Sequence, residues 1–154
     1  MNGISLAIPA RAEYLSLVRA VVAAAAALDP GLGDERIEDL RLAVSEATTN
    51  AIEAHATLGS DERITIRCDL AGDRIEVEVQ DHAEGFDPSA VVDERPLDAP
   101  GRLEHEGGFG IPLMRVLADE MRIRSLEHGT AVRLVVYTSP NADKSDKAAA
   151  ELSA

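Results

Sequence analysis

Two polar side chains set four residues apart, Glu46 and Asn50, are the first place in this 154-residue sequence where chemistry could be done. On a helix that spacing stacks them one turn apart, a carboxylate beside a carboxamide, at the margin between a core stripe and a cleft. Asp81 is a third candidate. In the segment before it Ile75, Val77 and Val79 alternate with Glu76, Glu78 and Gln80, and continuing the period of two points the Asp81 carboxylate inward. An inward charge needs a hydrogen-bonding partner, and a donor on a bound ligand is one candidate. The fourth feature is Gly107-Gly-Phe-Gly110, which runs straight into an apolar helical segment. Glycines at a helix start leave unpaired backbone N–H groups open to close approach, so a phosphate site is physically possible there.

Each of these needs an element to hold it. Ile37, Leu40, Val44, Ala47, Ala51 and Ala54 recur at steps of three and four, which predicts a helix from Asp34 to about His55 with Glu46 and Asn50 beside its buried face. Thr57-Leu-Gly-Ser60 ends it. An earlier helix is predicted between Arg11 and Leu28, broken by Asp29-Pro-Gly-Leu-Gly33, and Ile4, Leu6 and Ile8 alternate as a short strand before it. Ile64, Ile66, Cys68 and Leu70 form the apolar side of a strand joined by the tight connection Ala71–Arg74 to the strand that ends at Asp81. From His82 to Gly107 periodicity disappears, and a connection of that length is usually functional or disordered. Pro112 then suits the first turn of a helix with Leu113, Met114 and Leu117 on its apolar side. Met121–Ser125 and Thr130–Tyr137 close the pattern as a strand pair. The order β-α-α-β-β-loop-α-β-β predicts an α+β two-layer sandwich, a mixed or antiparallel sheet with helices on one face. Residues 1–137 form one domain in this reading, and residues 138–154 a polar, alanine-rich mobile tail.

The bulk properties narrow the partners. With 15 Lys+Arg against 28 Asp+Glu, the formal charge of -13 repels nucleic acid and anionic lipid. No apolar run has membrane-spanning length and Met1–Leu6 does not read as a leader, so a cytoplasmic protein is expected. The single cysteine, Cys68, reads as core packing, His55 as a partner for its helix's terminal carbonyls, and His82 and His105 as solvated loop residues. No Cys/His spacing suggests zinc.

The order of the features is more specific than any one of them. Leu42-Ala-Val-Ser-Glu-Ala-Thr-Thr-Asn-Ala-Ile52, Asp81, Gly85-Phe-Asp-Pro88, Gly107-Gly-Phe-Gly-Ile-Pro-Leu-Met114, Ala118-Asp-Glu-Met-Arg122 and Gly129-Thr130 resemble the GHKL ATPase/kinase superfamily, and within it the bacterial anti-sigma-factor serine/threonine kinases. The resemblance covers about Ile4 to Tyr137. It implies a small Bergerat-type ATP-binding domain, usually a homodimer, that sequesters a sigma factor and uses ATP and Mg2+ to phosphorylate a serine or threonine of an anti-anti-sigma protein of the STAS type. By position it implies Asn50 as magnesium ligand, Glu46 as base or water-positioning group, and Asp81 as acceptor for the adenine amino group. Gly85 belongs to the motif after Asp81, Gly108 and Gly110 would line the phosphates, and Thr130 would help hold adenine. The roles suit the chemistry, since magnesium keeps much of its water and phosphoryl transfer depends chiefly on positioning and charge neutralisation.

Two positions depart from the pattern. The family's Asp-x-Gly-x-Gly is here Asp81-His-Ala83-Glu-Gly85, and Phe109 stands where many relatives carry a basic or flexible residue, with Arg102 a possible replacement for the lost phosphate contact. Two other readings stay open on the sequence: a non-catalytic partner-switching protein, with or without nucleotide, and a detached histidine-kinase catalytic domain, disfavoured because no phosphoacceptor segment is present.

Overall fold

The computed structural model describes residues 2–83 and 110–138. Strand β1 (Asn2–Ile8) leads through a 3-10 turn (Ala12–Tyr14) into α1 (Leu15–Ala26), then α2 (Asp34–Leu58), β2 (Ile64–Ala71), β3 (Arg74–Gln80), α3 (Gly110–Leu117), β4 (Glu120–Leu126) and β5 (Gly129–Tyr137). The expected order of elements is the observed one. Gly85, Gly107, Gly108, Phe109, Arg102 and His105, and the tail from 139 onward, lie outside the described residues.

The breaks between elements follow from the turn residues. Beyond α1 the Asp29 carboxylate accepts the Gly31 N–H at 2.8 Å, closing the Pro-Gly turn on itself. Helix α2 carries Asp34 and Glu35 in its first turn, where negative charge meets the positive helix end. It runs one residue triplet past the expected end at His55, to Leu58. Gly59 stops it, with a φ of 66° and its N–H donating to the His55 carbonyl, which also accepts the Ser60 N–H at 3.0 Å.

All neighbouring strands are antiparallel, in the order β1-β2-β3-β5-β4. Chain order therefore places β4 at an edge and brings β5 back against β3. Register sets Ile4, Cys68, Val77, Leu134 and Met121 in one row across five strands, and Leu6, Ile66, Val79, Val132 and Ile123 in the next. These rows face the helices. Val18, Val22, Ala25 and Ala26 of α1, Leu40, Ala43, Val44, Ala47 and Ala51 of α2, and Ile111 and Met114 of α3 complete the core. Each fully buried Leu, Ile or Val there contributes about 1.5–3 kcal/mol. Cys68 belongs to this core, and burial, with Asp69 beside it, pushes its thiol up to about 11, which suppresses the reactive thiolate.

The opposite face of the sheet carries no helix among the described residues. Ser5, Arg67, Glu78, Arg133 and Arg122 make one row, flanked by Asp69, Glu76 and Glu120. Glu76 pairs with Arg133 and, at 2.8 Å, with Arg74; burial opposes its ionisation, but these arginines prevail and hold it below the ordinary carboxylate value. Val135, buried although it points to this face, lies among Arg74, Glu76, Glu120 and Arg133, whose aliphatic stems can cover it.

Candidate functional site

Helix α2 delivers Glu46 and Asn50 to the N-terminal end of α3. A methyl group placed on Gly110 would stand 3.0 Å from Asn50 Nδ2, 3.3 Å from Asn50 Oδ1 and 3.4 Å from Glu46 Oε2. The two polar side chains thus converge on the first residue of α3. Both are half-buried, at the rim rather than in the core. Ser45, one residue before Glu46, is buried and receives the Arg19 Nε–H at 2.8 Å, which ties α1 to the same turn of α2.

Asp81 comes from the far end of β3 and faces inward, only 7% exposed. Its Oδ1 accepts the N–H of Ala83 at 3.0 Å and that of Thr130 at 3.2 Å, while its own N–H donates to the Thr130 carbonyl at 2.9 Å. Burial raises its carboxyl above the usual value, against the opposing pull of those two N–H donors. Oδ2 carries no hydrogen bond among the described residues. Thr130 is buried, and its hydroxyl has no hydrogen-bond partner among the described residues. An orphaned hydroxyl beside a half-satisfied inward carboxylate is a site waiting for polar groups.

A cavity of about 30 Å³ is lined by Asn50 and by the hydrogen-bonded end that Asp81 and Thr130 make, with Ala51, Val79, Ile111 and Met114 among its apolar walls. It is far smaller than a nucleobase, so a flat heterocycle with one amino group would enter only where these walls part. Gly129 makes this end possible: its φ of 131° and lack of a side chain let the β4–β5 turn lie directly on the backbone of Asp81 and His82. Ala83, in place of the family's first glycine, is buried and has no positive φ, so its backbone does not need glycine.

His55 corrects the sequence reading. Its side chain does not turn to the helix carbonyls but enters the core beside the site, 1% exposed, where Nε2 accepts the His82 N–H at 3.0 Å. The signal was present: Ala47, Ala51 and His55 are spaced by four, so His55 continues the buried stripe. His82 itself is half-buried rather than solvated. A second feature that sequence patterns did not give is the junction of Arg36 with Asp119. The Arg36 guanidinium reaches Asp119 at 2.8 Å, Asp39 at 2.9 Å and the Leu117 carbonyl at 3.3 Å, anchoring the C-terminal end of α3 to α2. Asp119 also accepts the Tyr137 N–H at 2.8 Å.

Among the described residues no group of three or more His, Cys, Asp or Glu could hold a metal ion, and no helix is long and apolar enough to cross a membrane. Residues 8–136 match the histidine kinase-like ATPase domain family. The chain is similar to the serine-protein kinase RsbW of Bacillus subtilis, 33% identical over 141 residues that cover 87% of this chain and 84% of the relative. The enzyme of the same name from Bacillus cereus is 34% identical over 137 residues, covering 87% and 84%, and that from Oceanobacillus iheyensis 32% identical over 138 residues, covering 87% and 85%. Among solved structures, the RsbU and RsbW domains of a Mycobacterium tuberculosis protein superpose with a TM-score of 0.63 at 22% identity, a likeness of fold that covers 88% of this chain and 32% of that longer one.

Proposed function

This chain belongs to the histidine kinase-like ATPase domain family, and from that premise we propose that it is an ATP-dependent protein-serine/threonine kinase whose substrate is an anti-anti-sigma protein of the STAS type and whose other partner is a sigma factor. The observation that carries the reading is that Glu46 and Asn50 meet at Gly110, while Asn50 also lines one cavity with the Asp81 carboxylate and with Thr130, whose hydroxyl has no partner among the described residues. The kinase names of relatives matched along most of their length support it.

ATP supplies the transferable phosphoryl group and Mg2+ neutralises its charge. The residues present fit both. Asp81 Oδ2 accepts the adenine amino group, while Thr130 contributes its hydroxyl at the same end. Asn50 offers the single carboxamide oxygen that a mostly hydrated magnesium requires. Gly110 leaves the space between Asn50 and α3 clear of a side chain, and Gly85 and Gly108 act with it in this reading. Glu46, one helical turn from Asn50, orients the incoming serine hydroxyl and receives its proton. The chain works in the cytoplasm as a homodimer, and its net charge of -13 favours protein partners with basic surfaces over nucleic acid.

The test is transfer of label from γ-labelled Mg-ATP to a STAS-type protein of the same host. Acid-stable label on that protein is expected, abolished in Glu46→Ala while ATP binding persists. Retained transfer would remove Glu46 from the mechanism. Acid-labile label would point to histidine transfer, and partner capture without any label to a non-catalytic switch.

A further inference from the structure

The three amides that follow the last ladder pairs of β3 leave in three directions. The Asp81 N–H donates to the Thr130 carbonyl of β5 at 2.9 Å, the His82 N–H to His55 Nε2 of α2 at 3.0 Å, and the Ala83 N–H back to Asp81 Oδ1 at 3.0 Å. The middle one is the only tie from this turn to the helix layer through a side chain among the described residues. Because a backbone N–H points at Nε2, that nitrogen must carry its lone pair, and the proton of the neutral ring sits on Nδ1. Nδ1 is buried and has no partner among the described residues. A leucine or phenylalanine would fill the same place without an orphaned donor, so packing alone does not account for a histidine here.

We infer that His55 is a positioning residue for nucleobase recognition: by accepting the His82 N–H it fixes the turn after β3, and so holds Asp81 with Oδ1 on the backbone donors and Oδ2 presented to the 6-amino group of a purine. The inference rests on the reading of Asp81 as the adenine acceptor. Its consequence is selectivity. If the turn is released, the Asp81 carboxylate is free to rotate, and the advantage of an amino purine over an oxo purine disappears, because the apolar residues around it do not distinguish the two rings.

The experiment compares the affinities of ATP and ITP, which differ at that position in carrying an amino group or an oxygen. The wild-type chain should prefer ATP. His55→Leu should lose about tenfold in the ATP/ITP ratio, the worth of one well-placed hydrogen bond, with ITP affinity nearly unchanged. His55→Gln, whose side-chain oxygen can stand in for Nε2, should restore the ratio. Asp81→Asn is the control on the premise. Its oxygen stays on the Ala83 and Thr130 N–H groups, so its NH2 takes the place of Oδ2 and should shift preference toward ITP.

A ratio that collapses in Asp81→Asn but survives in His55→Leu overturns the role of His55 alone. No preference in wild type and no change in Asp81→Asn overturn the adenine reading and this inference with it. Equal losses for ATP and ITP in His55→Leu mark a merely structural residue. Should His55→Leu fail to fold, the wild-type chain decides: a strongly protected His82 amide and a neutral ring protonated at Nδ1, read by hydrogen exchange and nitrogen NMR, support the clamp, and rapid His82 exchange overturns it.

Discussion

Replacing Gly129 by alanine tests whether the β4–β5 turn and the end of β3 are one unit. The added Cβ would overlap the Asp81 carbonyl oxygen and stand 2.8 Å from its carbon and 2.9 Å from His82 Cα, all backbone atoms with no side-chain freedom to yield. The φ of 131° is also one that a residue with a Cβ rarely adopts. To relieve the contact the turn must withdraw, which breaks the bonds from Asp81 N to the Thr130 carbonyl and from Thr130 N to Asp81 Oδ1. Two hydrogen bonds at about 1 kcal/mol each and a backbone strain of about 1–3 kcal/mol sum to about 3–5 kcal/mol. That is a large part of the about 5–15 kcal/mol that holds an ordinary domain together. Thermal unfolding followed by circular dichroism should show the midpoint lowered on the order of 15 °C, and calorimetric titration should show weakened ATP binding because Asp81 loses its register. A loss of less than about 4 °C with ATP affinity intact would refute the reasoning, since the turn could then part from β3 without consequence.

Other substitutions separate function from folding. Gly110→Ala should leave stability within about 1 kcal/mol, because alanine favours the helix, yet push the Asn50 carboxamide aside and lower phosphoryl transfer at least tenfold in a labelled-ATP assay. Thr130→Val removes a hydroxyl that has no partner among the described residues, so the ligand-free chain should be as stable or up to about 1 kcal/mol more so, while ATP affinity measured by titration falls several-fold. Asp81 has a folded-state pKa raised by burial above the ordinary 3.8. Its contribution to stability is therefore fully present below 3.8 and lost as pH rises through the higher folded value. Chemical denaturation should find Asp81→Asn more stable than wild type at neutral pH, with the difference shrinking as the pH falls from the raised folded value to 3.8 and changing no further below it.

Much of this site was legible because two periods were enough to read it. The steps of three and four in Leu40, Val44, Ala47 and Ala51 fixed which side of α2 is buried, and so where Glu46 and Asn50 emerge; the alternation of Ile75, Val77 and Val79 turned Asp81 inward. Local patterns carry facing, not adjacency. That β5 lies between β3 and β4, and hence that Thr130 meets Asp81, depends on pairings between distant segments. Arg36 and Asp119 lie 83 residues apart and no motif joins them. His55 was missed for a different reason. A polar residue near a helix end reads as a partner for the helix's terminal carbonyls, but its spacing of four from Ala51 places it on the buried stripe, where its ring meets the His82 N–H instead.

The outer face of the sheet, which carries no helix among the described residues, has a consequence for how such a protein can be altered. The strands that turn Asp81 and Thr130 toward the helices present Arg67, Glu78, Arg133 and Arg122 on the other side. Distant sites with no shared partners combine nearly additively, and cross-strand ion pairs at the surface cost little to exchange. Charge on that face can accordingly be rewritten, by selection or by design, to change what the protein adheres to without retuning the nucleotide site behind it.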